Sequence, residues 1–289
     1  MDTLTPSPRR RRPAVTVAGT VTVTIILGAA AWVGAAVPAS SAYTTLRYGD
    51  HDRQVVTVYP AAAPRPPLAV YIHGGAWRMG SPARVRAKPQ WFGEAGWAFA
   101  SVGYRVLPDA QVEEQAQDVA AGLRALRADA GRLGFDPDRI LIMGHSAGAH
   151  IAMMTALDPR YLKAQGLGTE VIKGVIGLAG PYDFLPLTTD SSKIAFGQWP
   201  DLTETQPITF ARADAPPLLL LTGDKDSVVK PRNSKVLSER IAALGGKQQL
   251  KIYPDVGHSD IIMAVARPFR NKASVIHDVT TFIKAHEPR

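Results

Sequence analysis

Two patterns of apolar and polar positions alternate along most of the chain after residue 43. Short apolar runs, typical of buried strands, are separated by segments with an apolar residue every three or four positions, typical of amphipathic helices. The strand-like runs are 54–59, 68–75, 97–104, 139–144, 171–180, 217–224 and 249–254, and the helix-like segments are 82–95, 110–130, 147–157, 232–244 and 271–286. Alternation of this kind predicts an α/β fold, with a mostly parallel central sheet and helices on both faces.

Residues 182–215 interrupt this alternation. They lie between two predicted strands and carry Phe184, Phe196, Trp199 and Phe210 without a clear period. A long connection inside such a domain is typically a functional loop. We expect it to lie over the carboxyl ends of the strands as a short lid.

The first 42 residues differ in composition from the rest. Four arginines, Arg9–Arg12, precede an apolar stretch from Val15 to Val37 that contains no charged residue. This arrangement, followed by the small residues Ser40 and Ala42, is typical of an export signal that is cleaved. The stretch is also long enough to span a bilayer, so an uncleaved membrane anchor is the alternative. Either way, we expect the rest of the chain to be periplasmic, extracellular or held at the outer face of the membrane.

Length and composition bound the remaining part. The chain has 289 residues, so residues 43–289 suit a single α/β domain. The absence of cysteine excludes disulfides, thiolate metal sites and a cysteine nucleophile. The formal net charge is +8, but the positive residues after Arg12 are scattered, which argues against a nucleic-acid surface. Neither metal-ligand spacing nor a dinucleotide-binding glycine motif is present, and we expect no cofactor.

A G-x-S-x-G motif follows one predicted strand and opens one predicted helix. Its residues are Gly144-His145-Ser146-Ala147-Gly148. A tight strand-to-helix turn needs small residues on both sides of the serine, and it exposes the serine oxygen at the amino end of a helix. We therefore interpret Ser146 as a nucleophile and the motif as more than a chance glycine-rich turn. We expect the adjacent His145 to pack against its neighbours rather than act as a base.

A glycine pair closes the strand-like run that begins at residue 68. Nucleophilic attack on an ester carbonyl creates an oxyanion, which preorganised backbone N–H groups must bind, and glycines let the backbone approach it. The predicted donors are the N–H groups of Gly75, Ala76 and Ala147. Weaker candidates for contact with a substrate are His73, Gly74 and Trp77. Trp77 is explained equally well as a cover for the loop.

A serine on such a turn is followed along the chain first by its acid and then by its base. His258 comes just after the predicted strand 249–254, in a loop where a mobile imidazole is needed, and we predict that it is the general base. Asp224 and Asp226 both follow the strand 217–224. We favour Asp226, further along the loop, as the carboxylate that orients the imidazole, and we expect Asp224 to serve the turn.

Together these residues resemble the α/β-hydrolase superfamily of serine esterases. Within it the chain is most similar to the hormone-sensitive-lipase-like and the acetyl-xylan and feruloyl-esterase-like branches, near the kynurenine formamidases. The matching motifs are H-G-G-x-W from His73, G-x-S-x-G around Ser146, G-x-x-D-x-x-V from Gly223 and G-H at Gly257. Ala76 stands where hormone-sensitive-lipase relatives have a third glycine, which favours the smaller esterase and formamidase branch.

The resemblance implies an acyl transfer in two steps, through an acyl-enzyme intermediate. We expect a serine carboxylesterase that acts on small-molecule esters with short acyl groups, because the lid looks too short to enclose a long chain. An arylformamidase-like amide hydrolase would share this machinery and is one alternative. The other is an inactive hydrolase fold that serves as a binding module, and the intact order of serine, aspartate and histidine argues against it.

Overall fold

The computed structural model describes residues 43–266 and 269–286. Within them the chain forms one eight-stranded sheet in the order β1-β2-β4-β3-β5-β6-β7-β8. The strands are β1 (Thr44–Arg47), β2 (Val55–Tyr59), β3 (Leu68–Ile72), β4 (Ala98–Val102), β5 (Ile140–His145), β6 (Ile172–Leu178), β7 (Leu218–Gly223) and β8 (Gln248–Tyr253). Only the β1–β2 and β2–β4 pairs of this sheet are antiparallel. The predicted α/β fold with a mostly parallel sheet is confirmed.

Helices connect the strands of the described part. They are α1 (Lys88–Glu94), α2 (Val112–Ala128), α3 (Ala130–Leu133), α4 (Ala147–Leu157), α5 (Pro159–Ala164), α6 (Asp190–Phe196), α7 (Arg232–Ala243), α8 (His258–Met263) and α9 (Val275–Ala285). Single 3₁₀ turns cover Thr169–Val171, Leu202–Thr205, Pro207–Phe210 and Phe269–Lys272.

Several predicted bounds were wrong by a few residues. The helix expected from residue 82 begins at Lys88, with Pro89 in its first turn, a position that suits proline because no backbone N–H is needed there. The last helix begins at Val275 rather than 271, because a 3₁₀ turn precedes it. Strand β1 was not predicted, since four half-exposed residues at a sheet edge carry little apolar signal.

Two apolar layers cover the two faces of the sheet. Leu68, Val70 and Ile72 of β3 pack in the layer that includes α2 and α4. Ala69 and Tyr71, the residues between them, pack in the layer that includes α1 and α9. Successive side chains of a strand point to opposite faces, so a strand that is covered on both sides must be apolar throughout. This explains why the central strands are short continuous apolar runs.

The carboxyl ends of the parallel strands meet at one edge of the sheet. Ile72 pairs in register with Gly144, and Leu178 pairs with both His145 and Leu221. The loops that follow β3, β5, β6 and β7 therefore begin side by side. In sheets of this kind ligands bind at that edge.

None of the helices in residues 43–266 and 269–286 combines the length and apolarity needed to cross a membrane. The predicted export signal or anchor lies outside the described residues.

Lys88, at the start of α1, is a buried cation. Its side chain is 0% exposed, its Nζ donates to the Val85 carbonyl at 3.0 Å, and the same atom lies 4.2 Å from the centre of the Tyr71 ring. Burial, with a smaller contribution from Arg86, lowers the pKa of Lys88 to about 7. The pKa of this amine is lower in the folded state than in the unfolded state. It therefore destabilises the folded state at every pH at which the unfolded chain keeps the proton.

We predict that Lys88→Met raises the free energy of unfolding by about 1–4 kcal/mol at pH 6, because an apolar side chain replaces a buried charge. The destabilisation by the wild-type amine is complete below its folded pKa of about 7 and disappears as the pH rises to the ordinary value of 10.5. The gain should therefore shrink between pH 7 and 10.5, as measured by urea unfolding. Lys163→Met, at an exposed position, is the control. An equal gain in both variants, or a pH-independent one, would contradict the prediction.

Candidate active site

Ser146 joins β5 to α4 in a strained backbone conformation, with φ 57° and ψ −126°. The surrounding backbone is packed as tightly as the motif predicts. A Cβ on Gly144 would lie 2.3 Å from the Gly148 carbonyl oxygen, and one on Gly148 would lie 2.2 Å from the Ile72 carbonyl oxygen. Only glycine fits at either position, so the predicted need for small residues on both sides of the serine is confirmed.

His258 lies next to the Ser146 hydroxyl. Its Nε2 is 2.9 Å from Ser146 Oγ, and its Nδ1 is 2.8 Å from the Asp226 carboxylate. With Nδ1–H donating to the carboxylate, Nε2 is free to accept the hydroxyl proton. His258 was predicted in a loop, but it is the first residue of the short helix α8. The structure thus brings together three residues that are up to 112 positions apart in the sequence.

Asp226, and not Asp224, contacts His258. The Asp226 side chain is 0% exposed, and its second oxygen, Oδ1, accepts the backbone N–H groups of Val228 at 2.9 Å and Val229 at 2.8 Å. Three N–H groups therefore surround a carboxylate that water does not reach. Asp224 is exposed, and its Oδ1 accepts the N–H of Asp255 at 2.8 Å, which links two loops. Asp224 was expected to serve its own turn, and its side-chain hydrogen bond instead reaches the loop at Asp255.

The loop after β3 has three consecutive residues at positive φ: Gly75 at 137°, Ala76 at 52° and Trp77 at 60°. The loop passes close to the serine turn, because a Cβ on Gly74 would lie 2.5 Å from the His145 carbonyl oxygen. The three predicted oxyanion donors are the N–H groups of Gly75, Ala76 and Ala147. Within the described residues none of them donates to another protein group. They are therefore available to an oxyanion.

His73 and Trp77 have different surroundings at the two ends of this loop. The His73 ring stacks on Tyr104 with 4.3 Å between ring centres, and the Tyr104 hydroxyl donates to the His73 carbonyl at 2.6 Å. Burial lowers the pKa of His73 to about 4. His73 therefore packs on Tyr104, and neither His73 nor Gly74 is among the residues that line the cavity beside the serine, where substrate contact was expected. Trp77 does line it.

His145 contacts the backbone of His258. Its Nε2 donates to the His258 carbonyl at 3.0 Å, and the centres of the two rings lie 4.9 Å apart. Burial, and then the neighbouring His258, lower the pKa of His145 to about 4, so it stays neutral at pH 7. This contact holds the backbone from which the His258 ring projects, and it agrees with the packing role expected of His145.

A cavity of about 340 Å³ opens beside Ser146. Its walls come from three segments. They are the loop 73–77 with the predicted oxyanion donors (the oxyanion loop), the first part of the segment after β6, and the loop that carries Asp226 into α7. The lining residues are Ala76, Trp77, Ser146, Pro181, Asp183, Phe184, Leu185, Pro186, Thr188, Thr189, Ser191, Ser192, Val228, Val229, Lys230, Arg232 and Asn233. Such a volume is at the small end of ligand-binding sites in proteins.

The predicted lid, 182–215, divides into two parts. Residues as far as Ser192 line the cavity, whereas the 3₁₀ turns at 202–210 pack on α4. The segment also contains α6, which its aperiodic sequence did not indicate. Only the first third therefore faces the site. The rest packs against the apolar layer around α4, which includes Phe196.

Asn233 was not identified from the sequence as a site residue. Its Oδ1 accepts the N–H groups of Tyr182 and Asp183, both at 2.9 Å, and its Nδ2 donates to the Lys230 carbonyl at 3.2 Å. The neighbouring Arg232 donates to the Asp183 carboxylate at 2.6 Å. These bonds join the start of the lid to the loop that carries the catalytic aspartate candidate. An asparagine near the start of a helix is too common a feature to have signalled this role.

The described residues contain no group of three or more histidine, aspartate or glutamate side chains arranged to hold a metal ion.

A family model and several curated relatives match this chain. A family model described as BD-FAE matches residues 57–241. The probable isoprenylcysteine alpha-carbonyl methylesterase ICMEL1 of Arabidopsis thaliana is 28% identical over 243 residues, which is 75% of this chain and 50% of that protein. Esterase LipC of Mycobacterium tuberculosis is 27% identical over 76% of this chain and 60% of its own length. The chain spans about half to three fifths of the length of these relatives.

Solved structures share the fold. A truncated carbohydrate esterase from gut microbiota superposes with a TM-score of 0.71 at 22% identity, covering 84% of this chain and 94% of that one. A butyrate-bound esterase of Thermogutta terrifontis gives a TM-score of 0.70 at 20% identity, covering 86% and 94%. At such identities the similarity shows a common α/β-hydrolase fold.

We predict that Asp226→Asn slows labelling of Ser146 by a fluorophosphonate by about 10⁴-fold, because an amide favours the wrong imidazole tautomer. Asp224→Asn should label within about threefold of the wild-type rate, since the Asp224 carboxylate contacts Asp255 and Lys225 and not His258. Labelling rates measured on gel, with circular dichroism as a check of folding, make the comparison. The reverse order of the two rates would move the role to Asp224.

Proposed function

The chain belongs to the BD-FAE family, and from this premise we propose that it is a serine carboxylesterase that hydrolyses small esters with short acyl groups. The observation that carries the proposal is the hydrogen-bonded row of Ser146, His258 and Asp226 beside a cavity. Each of the curated relatives named above is an esterase or a probable methylesterase.

In the first step Ser146 Oγ attacks the ester carbonyl while His258 Nε2 takes the hydroxyl proton. The bond from the carbonyl carbon to the leaving oxygen then breaks, and His258 returns the proton to the departing alcohol. Asp226 holds Nδ1–H and stabilises the imidazolium that forms in between. The buried Asp226 carboxylate does this well because the two N–H groups on its other oxygen keep its orientation fixed.

In the second step water attacks the acyl-enzyme. His258 removes a proton from the water and gives it to Ser146 Oγ as the acid product leaves. In both steps the carbonyl oxygen carries negative charge, and we assign the free N–H groups of Gly75, Ala76 and Ala147 to bind it. One such donor is worth about 10²–10³ in kcat.

The cavity supports a small substrate. A volume of about 340 Å³ must accommodate both the acyl and the alcohol part, and Trp77 and Phe184 are bulky residues in its wall. Butyrate is the ligand of one structure with the same fold. An acyl chain much longer than butyrate would have to displace packed aromatic rings or leave the cavity, so we propose a preference for short acyl groups.

We predict that residues 43–289 hydrolyse p-nitrophenyl acetate and butyrate, with kcat/KM falling at least tenfold from butyrate to decanoate. Ser146→Ala is the matched control, and it should lower kcat by several orders of magnitude while the protein stays folded. N-formylkynurenine in the same assay tests the amide alternative. Preference for N-formylkynurenine would identify a formamidase, and a folded wild type that hydrolyses neither substrate would support the binding-module alternative.

We also propose that the chain is exported, with its catalytic domain outside the cytoplasm. Arg9–Arg12 before the uncharged stretch 15–37 would keep the N-terminus inside while the apolar segment enters the bilayer.

The expected outcome is that cell fractionation finds the enzyme outside the cytoplasm or in the membrane. N-terminal sequencing then distinguishes the two forms. A mature N-terminus near Tyr43 indicates a cleaved signal, and an intact one in the membrane fraction indicates an anchor. Full-length enzyme in the cytosol would refute export.

A further inference from the structure

Trp77 is a bulky side chain held at a positive φ of 60°, which is unusual for any residue except glycine. Such a conformation persists only where the surroundings impose it. Two bonds hold its carbonyl: the N–H of Leu107 at 3.0 Å and the side-chain amide of Gln115 at 2.9 Å. The backbone of the oxyanion loop is therefore constrained at its carboxyl end.

A third bond holds the Trp77 side chain. Its indole N–H donates to Nδ1 of His150 at 3.3 Å, and the two rings meet edge to face at 88°. Phe196 packs against the same indole, with 4.9 Å between ring centres. The indole is 6% exposed, so a lost hydrogen bond here would not be replaced by bulk water.

His150 connects this indole to the nucleophile and to the lid. It lies on α4 one turn after Ser146, and its backbone N–H donates to the Ser146 carbonyl at 3.1 Å. Its ring Nε2 donates to the Thr205 carbonyl at 2.8 Å. With Nε2 as the donor, Nδ1 is left as the acceptor for Trp77, so the two bonds require one neutral tautomer. The buried ring, 1% exposed, has both nitrogens occupied.

We propose that His150 is a positioning residue for the oxyanion hole, which it aligns through the Trp77 indole. This rests on the proposed function, because the aligned N–H groups of Gly75 and Ala76 are those assigned there to the oxyanion. Without the bond, the strained loop relaxes and its N–H groups move away from the developing charge. Stabilisation of the transition state is then lost, whereas binding of the substrate in the ground state is nearly unchanged.

Two substitutions of His150 separate its two bonds. Asparagine places an oxygen where Nδ1 lies and keeps the acceptor for Trp77. Glutamine places an amide where Nε2 lies, so H150Q keeps the donor for Thr205 and loses the acceptor. Trp77→Phe removes the indole N–H from the other side while keeping an aromatic ring.

The experiment measures kcat and KM on p-nitrophenyl butyrate, inhibition by a trifluoromethyl ketone, and the labelling rate of Ser146 with a fluorophosphonate. H150Q and W77F should lose about 10–100-fold in kcat, ketone affinity and labelling rate, with KM within about threefold of wild type. The kcat of H150N should be at least tenfold higher than that of H150Q, because asparagine keeps the acceptor for Trp77. The double variant W77F/H150Q should be no worse than the poorer single variant, because both remove the same bond.

Equal losses in H150N and H150Q, or a change confined to KM or melting temperature, would overturn the positioning role. Wild-type kcat in a folded W77F would also overturn it, even if both His150 variants failed to fold. Labelling of Ser146 needs no ester turnover, so the role of His150 is testable independently of the substrate. A wild-type protein that labels but hydrolyses no ester would count against the proposed function alone.

Discussion

The structure depends on the backbone turn at Ser146. Its positive φ is tolerated because a strand ends and a helix begins within one residue, and because Gly144, Gly148 and Ile72 approach one another at distances that exclude any side chain. This contact ties the serine turn to the end of β3, from which the oxyanion loop starts. Ser146 and the predicted oxyanion donors are therefore parts of one packed unit, which is how a site keeps its groups preorganised without reorganisation during a reaction.

Neutral histidines support this unit. His73, His145 and His150 each have a pKa lowered to about 4, mainly by burial, and each contributes a hydrogen bond or a stacked ring to the loops around the serine. His258 differs because its side chain is partly exposed and contacts the carboxylate of Asp226. A base must change its charge during the reaction, so it needs a counter-ion and some access to water. A supporting imidazole serves best when it never ionises.

The chemistry and the selectivity of the site come from different parts of the chain. The proposed reacting groups follow the ends of central strands, whose positions are set by two apolar layers. Part of the cavity wall comes instead from the start of the lid. Hydrogen bonds from Asn233 and Arg232 join this segment to the loop after Asp226. Loops on a rigid scaffold change more readily than the scaffold, so substrate preference in such a fold can vary while the mechanism persists.

The sequence by itself indicated seven of the eight strands of the described sheet, the sheet type and the candidates Ser146 and His258, because periodicity and the short-range geometry of a tight turn are local properties. It favoured Asp226 over Asp224 only by position along a loop, whereas the contact with His258 depends on the fold that brings 226 and 258 together. Tertiary structure alone decided the bond from Trp77 to His150, the hydrogen bonds of Asn233 to the start of the lid, and the division of the lid. Each joins residues about 50 to 75 positions apart, and no local pattern encodes which distant groups burial will force to pair.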